Sequence, residues 1–263
     1  MSIIGKVDSL WRYPVKSMRG EELNEAFVGF SGVYGDRLFA LRSSASPKGF
    51  PYLTAREQRK LLQFRPRFRN PDKAAKPVNL AEAEKLGPGV TPLSADPAEF
   101  MVDVESPNGD TLAIDDPALL RILGEGVRDA PRLTLLRSER AMTDCRPVSL
   151  FSLQSAHQLG REIGTPLDHR RFRANIYLDL NTAGGFGEDA FVGHSMRIGS
   201  KVRISILEKD PRCAMITFDP DTGESNPEIL RQVAQAYKGM AGVYGAVLVE
   251  GILRKGDTVE VLD

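Results

Sequence analysis

The chain has 263 residues, 41% of them hydrophobic and 27% charged, enough for one large folded body or two modest ones with real cores. Lysine plus arginine equals aspartate plus glutamate at 35 each, which removes bulk charge as a reason to expect nucleic acid or a membrane surface as partner. Two cysteines, 68 positions apart, form neither a disulfide framework nor a metal-binding pair, and no apolar run reaches the length of a membrane span.

The opening "MSIIGKVDSLWRYPVK" lacks the apolar stretch and cleavage site of a signal peptide, so a cytoplasmic protein with reduced thiols is expected. Strand-like runs follow at "IIGKVDSLWRY", "EAFVGF", "RLFALRS", "EFMVDVE" and "TLAID", several of them alternating and bounded by Gly, Asn or Pro. The Asn-Gly of "SPNGDT" predicts a hairpin between the last two. Before that hairpin, "REQRKLLQFRPRFR" (Arg56–Arg69) carries six basic residues and one acidic one. The stretch from Asn70 to Pro97, rich in Pro, Ala and charge, reads as a long loop holding one helical turn. "DDPALLRILGEGV" predicts a helix, with Pro117 in its first turn and Leu119, Leu120, Ile122 and Leu123 on its apolar side. A domain boundary is placed after it, giving domains 1–125 and 126–263.

The second half reads as strand "RLTLLRS", then helix "SLQSAHQLGREIG" with Ser152 as its N-cap. Strands "NIYLDL", "KVRISILE", "AMITF" and "GAVLVEGIL" are expected, with a helix "NPEILRQVAQAYKG" ended by Gly239 and a closing strand in "LRKGDTVEVL". The fold class that follows is a β-rich α+β protein.

Two motifs mislead. "GGFGEDA" offers Gly185-x-Gly187-x-x-Ala190 after a strand, but a dinucleotide fingerprint must open a long helix, and the residues that follow are β-like. "DPDTG" has two aspartates at calcium-loop spacing, yet a proline intervenes and the other ligands are missing, so it reads as a tight turn. His157, His169 and His194 show no metal-ligand spacing.

Chemistry is expected where charged residues interrupt apolar strands. "YPVKS" ends the first strand with Lys16 and Ser17, and "GDRLFAL" places Asp36 and Arg37 at the start of another. In "RRFRANIYL", Arg171, Arg173 and Asn175 recur at period 2, the spacing of one strand face. "DPRCAMITF" sets Cys213 beside Arg212 at a strand mouth, where a guanidinium favours a thiolate. Several cations and short hydroxyls beside a thiol suit a phosphate-bearing anion together with a soft metal, and the helix start at Ser152–Ser155 is a further source of N–H donors. Each residue taken singly fits a solvated surface or, for the thiol, a simple core position; the combination is what points to a site.

Taken in order, "LWRYPVKSMRGEEL", "GVYGDRLFAL", "TAREQRKL", "RFRANIYLDL" and "PRCAMITFDPDTGE" resemble a MOSC protein, in which a MOSC N-terminal β-barrel domain precedes the MOSC domain. The layout is similar to the mitochondrial amidoxime-reducing components and their bacterial counterparts. The resemblance implies an α+β, β-rich fold with an N-terminal β-barrel-like domain packed against a MOSC β-barrel with a few helices. It also implies a molybdopterin-type molybdenum cofactor and two-electron reduction of N-hydroxylated small molecules. On that resemblance Cys213 is the thiolate ligand to molybdenum, and Lys16, Ser17, Arg37, Ser155 and Arg173 contact the cofactor, with Asn175 and Arg212 as adjacent candidates. A second role implied by the family is sulfur transfer, with a persulfide on Cys213. The chain has no four-cysteine set, so no iron–sulfur cluster is expected in it, and reducing equivalents are expected from a separate ferredoxin-like or similar electron-transfer protein. The basic stretch Arg56–Arg69 is the expected docking place.

Overall fold

The computed structural model describes residues 2–86 and 96–262. The chain opens with β1 (Ser2–Arg12), β2 (Glu21–Leu23), β3 (Glu25–Gly29), β4 (Gly32–Val33) and β5 (Phe39–Ser43). Next come β6 (Arg65–Phe68), helices α1 (Pro71–Ala75) and α2 (Leu80–Leu86), and strands β7 (Val102–Glu105) and β8 (Thr111–Ala113). Helix α3 (Pro117–Gly124) and β9 (Leu133–Arg137) lead to β10 (Val148–Ser152), α4 (Leu153–Glu162) and β11 (Ile176–Leu180). The chain finishes with β12 (Ser195–Ile198), β13 (Val202–Pro211), α5 (Pro227–Tyr237), β14 (Met240–Val249), β15 (Gly251–Arg254) and β16 (Thr258–Leu262).

Most of the expected elements are present, including α3 capped by Asp116 and α4 capped by Ser152. Two expectations are corrected. "AMITF" is not a strand but a 3₁₀ turn, Ala214–Thr217, closed by the Thr217 hydroxyl donating to the Ala214 carbonyl at 2.7 Å. A short apolar run fits either state, and here Ile216 is taken into a hydrophobic cluster that a turn reaches. The Asn70–Pro97 stretch holds two short helices, α1 and α2, rather than one turn; its residues 87–95 lie outside the described residues.

The chain divides into two compact units, each built from separate stretches of sequence. The first takes the residues up to Arg12, Gly20–Val33 and everything from Thr143; the second takes Tyr13–Arg19 and Tyr34–Met142.

In the first unit seven strands close into a barrel in the order β11-β10-β14-β13-β12-β16-β1, with β1 pairing back onto β11 and β2 continuing beyond β1. Only β10 and β11 run parallel, so they need a crossover, and α4 supplies it. Closure depends on Gly5, which sits opposite Leu180: a Cβ there would lie 2.4 Å from the Asp179 carbonyl oxygen. A buried aliphatic cluster that includes Val7, Leu150, Ile176, Ile204, Val243 and Val259 draws on the barrel strands. Removing each such side chain from water is worth about 1.5–3 kcal/mol. Strands β10 and β11 bury both faces: Leu150 and Ile176 join this cluster, while Phe151 and Tyr177 point the other way. There they meet Ala156 and Leu159 of α4, Ile229 and Val233 of α5, and the loop residues Phe172 and Ile216.

The second unit contains a two-stranded sheet, β5–β9, and a three-stranded sheet, β6–β7–β8. Leu119 and Leu123 of α3 pack with Val15, Phe39, Leu61, Val102 and Ile114 in its core. The Asn-Gly hairpin is present, pairing Glu105 with Thr111, with Gly109 at φ +90°. Among the described residues no helix is long and apolar enough to cross a membrane.

Candidate functional site

Cys213 follows β13 at the point where Pro211 ends the strand, and its thiol is exposed. Its backbone is extended and its carbonyl accepts the Ile216 N–H, so the 3₁₀ turn begins at the cysteine. Arg212 does not reach outward to the thiol. Its guanidinium pairs with the buried Asp210 and donates to the Phe172 carbonyl at 2.6 Å, lying 5.1 Å from the Phe172 ring. It ties the end of β13 to the loop before β11.

That loop is the "RRFRAN" stretch, and it is not one strand face. His169–Phe172 form a 3₁₀ turn, Arg173 takes the left-handed conformation at φ +52°, and β11 begins only at Ile176. The period-2 spacing of Arg171, Arg173 and Asn175 is therefore a coincidence of composition. Arg171 turns inward, donating to the Thr217 carbonyl at 2.9 Å and to Asp219 at 3.0 Å. Asn175 is fully buried, its carbonyl oxygen taking the Ser149 N–H and hydroxyl and its amide reaching the Trp11 carbonyl, so it stitches β10 to β1. Arg173 stays half-exposed in the residue after Phe172. One hydrogen bond, Arg212 to Phe172, thus brings the neighbours Cys213 and Arg173 into one locality.

Ser155 is fully buried and committed elsewhere. The carboxylate of Glu188, itself fully buried, accepts from the Ser152 N–H at 3.2 Å, the Ser152 hydroxyl at 2.6 Å and the Ser155 hydroxyl at 2.8 Å. The anion at the start of α4 is this internal carboxylate, and Ser155 helps to hold it. The "GGFGEDA" stretch explains how it gets there. A Cβ on Gly185 would lie 2.9 Å from the Ser155 Cα, so glycine lets the loop lie on the first turn of α4 and deliver Glu188. Sequence reasoning missed Glu188; its signal was the glycine pattern, in which the anion proves to be the protein's own.

In the second unit, Met18 N–H to the Val15 carbonyl closes a turn with Ser17 left-handed at φ +66°. Lys16 is 6% exposed; its ammonium donates to the Met142 carbonyl at 2.9 Å and lies 5.0 Å and 5.4 Å from the rings of Tyr52 and Phe50. Arg37, left-handed at φ +47°, pairs with the fully buried Asp36 at 2.5 Å and lies over the Tyr13 ring. Asp36 also accepts the Tyr13 N–H at 2.8 Å, so it acts as an anchor. Ser17, Arg37 and Arg173 are three of the seven described non-glycine residues with positive φ, a conformation that costs on the order of 1–3 kcal/mol each and gathers at functional positions.

The basic stretch is partly neutralised: Arg65 and Arg67 each come within 3.8 Å of Glu105, and Arg69 pairs with Asp103 at 2.7 Å. The other thiol, Cys145, donates to Glu208 at 3.3 Å, and burial together with that carboxylate pushes it above the usual thiol value. As a donor set, an exposed thiol with a half-exposed arginine nearby fits a soft metal carried by an anionic cofactor.

The MOSC domain model matches residues 137–260, and the MOSC N-terminal beta barrel domain model matches residues 4–118. No curated protein matches the chain. Among solved structures, the YUAD protein from Bacillus subtilis is similar over 98% of this chain and 94% of its own, at 13% identity and a TM-score of 0.48. YiiM from Geobacillus stearothermophilus covers 45% of this chain and 55% of its own at 18% identity, TM-score 0.34; YiiM from Escherichia coli covers the same shares at 16% and 0.33. The MOSC family is associated with molybdenum-cofactor binding. With both models spanning the two halves of the sequence and a closed seven-stranded barrel in the fold, the chain belongs to the MOSC domain family and carries the MOSC N-terminal beta barrel domain.

Proposed function

We propose that the protein binds a molybdopterin-type molybdenum cofactor through Cys213 and reduces N-hydroxylated small molecules by two electrons. The observation that carries this reading is the placement of Cys213: an exposed thiol at a strand end, fixed from behind by Arg212 and with Arg173 beside the same anchor. When bound, the cofactor supplies the redox chemistry that cleaves an N–O bond and releases the oxygen as water. The chain supplies the thiolate, and Arg173 supplies positive charge toward the anionic cofactor. Asn175, Ser155 and Arg212 are each held by internal hydrogen bonds, and they are proposed to support the site from behind. Electrons are proposed to come from a separate small electron-transfer protein, and the reaction to run in the cytoplasm.

The exposure of the Cys213 thiol also supports a second reading, a sulfur carrier that holds a persulfide at that position. One experiment separates them. Holo-protein with a reduced viologen dye should convert a benzamidoxime-type substrate to the amidine, and mass spectrometry should find no labile extra sulfur on Cys213. Absence of reduction together with a labile sulfur on Cys213 would establish the carrier instead.

A further inference from the structure

We propose that Arg170 and Arg171 are positioning residues that hold the Cys213 segment against the Arg173 turn through the carboxylates of Asp221 and Asp219. The proposal rests on the reading of Cys213 as the functional thiol, and it assigns a purpose to the "DPDTG" motif that composition alone left as a turn.

Three consecutive residues of one 3₁₀ turn each grip the segment that carries Cys213. Arg170 spans Asp168 at 2.6 Å and Asp221 at 2.7 Å, with a second nitrogen 3.3 Å from Asp221. Arg171 takes the Thr217 carbonyl and Asp219. Phe172 offers its carbonyl to Arg212 and stacks its ring on Phe151 at a centroid distance of 4.0 Å. The grips fall on both sides of the thiol, one before it at Arg212 and three after it at Thr217, Asp219 and Asp221. Asp219 is no loose partner: its other oxygen accepts the Asp221 and Thr222 N–H groups at 3.0 Å each. Burial pushes the Asp219 carboxyl up, but those N–H groups and Arg171 outweigh it and hold it below the ordinary value.

The arrangement exceeds what a solvated arginine face needs. The Arg171 Nε is buried with no hydrogen-bond partner among the described residues, a cost accepted so that the rest of the fork reaches two acceptors. Apolar contacts of Phe172 and Ile216 already bring the two turns together. The ion pairs add directional constraint, which matters where a ligand atom must be placed to within a fraction of an ångström.

The test uses full-length protein in a Cys145→Ser background, with Arg171→Ala, Arg171→Lys and Asp219→Asn. Asp219→Asn removes the charge while keeping the oxygen that caps the turn, so it serves if Arg171→Ala fails to fold. Amide exchange at Ile216 and Phe218 should rise about ten-fold or more in Arg171→Ala, with Leu150 and Tyr177 of the barrel unchanged. Molybdenum retention should fall by a similar factor, and Arg171→Lys, which reaches one acceptor but not two, should lie between. Unchanged exchange at Ile216 and Phe218 would overturn the proposal, and so would an equal rise across the barrel strands, which marks a merely structural role. Local exchange that rises while molybdenum is fully kept would sever the clamp from the site. Cys213→Ser, run in parallel, distinguishes the two failures: full molybdenum there defeats the ligand assignment, whereas the exchange result at Ile216 needs no cofactor.

Discussion

Glu188→Ala is expected to be among the most damaging single changes in the first unit. The carboxylate is fully buried and takes three donors at 2.6–3.2 Å, two from Ser152 and one from the Ser155 hydroxyl. A hydrogen bond to a charged group contributes about 1.5–3 kcal/mol, and stranding the donors adds to the loss. Relief of the buried charge's own desolvation works the other way, and the Ser152 and Ser155 hydroxyls, 2.8 Å apart, can still bond one another, which leaves a net cost of about 2–4 kcal/mol from the neutral donors left stranded. For a protein of this size each kcal/mol moves the melting midpoint by about 2–4 °C, so a drop of roughly 10 °C is expected. Glu188→Gln keeps the shape and one acceptor and should cost about 1–2 kcal/mol. Urea titration checks both, with the midpoint falling and the slope unchanged. Ser155→Ala should lose stability of the same order as Glu188→Gln while molybdenum per folded chain stays constant. The reasoning fails if Glu188→Ala remains within about 0.5 kcal/mol of the parent, or if Ser155→Ala sheds cofactor without loss of stability.

Acidification should weaken the fold through His169, whose ring packs on Tyr177 at 4.5 Å and whose burial, opposed by Asp168 and Asp8, holds it below the ordinary histidine value. Because the folded-state value is depressed, the unfolded chain takes the proton first, so stability falls as pH drops below about 6.5; His169→Phe should flatten that part of a urea-midpoint profile, and an unchanged profile would exclude the effect. Arg65→Glu, Arg67→Glu and Arg69→Glu together should slow turnover driven by an acidic electron-transfer protein and flatten its salt dependence. Dye-driven turnover should stay intact, since the exposed pairs lost are worth about 0–1 kcal/mol each; equal loss with both donors would end the docking idea.

Strands that alternate or end at Gly and Asn were legible because burial on one face imposes a period, as in β7 and β8 with their Asn-Gly turn. The place of Cys213 just past the end of a strand was legible too, from the Pro211 that closes β13, but the neighbouring Arg212 turns away from it to Asp210 and Phe172. What the sequence concealed was direction. Arg171, Asn175 and Ser155 carry side chains suited to an anion, yet each turns inward to partners distant in sequence: Asp219 and Thr217, Ser149 and Trp11, Glu188. Period-2 spacing predicts a shared face only if the backbone is a strand, and a left-handed Arg173 after a 3₁₀ turn breaks that premise. The discontinuous units were hidden for a similar reason, because β1 completes a barrel whose other strands lie more than a hundred residues downstream.

The most direct test of the central claim is molybdenum and pterin content per chain, measured on protein made in a host that synthesises the cofactor. The parent and Cys145→Ser should both carry near-stoichiometric molybdenum, and Cys213→Ser should lose most of it while remaining folded, because a hydroxyl is a poor ligand for a soft metal. Full molybdenum with an unchanged metal absorption spectrum in Cys213→Ser, or loss on Cys145→Ser instead, would contradict the account.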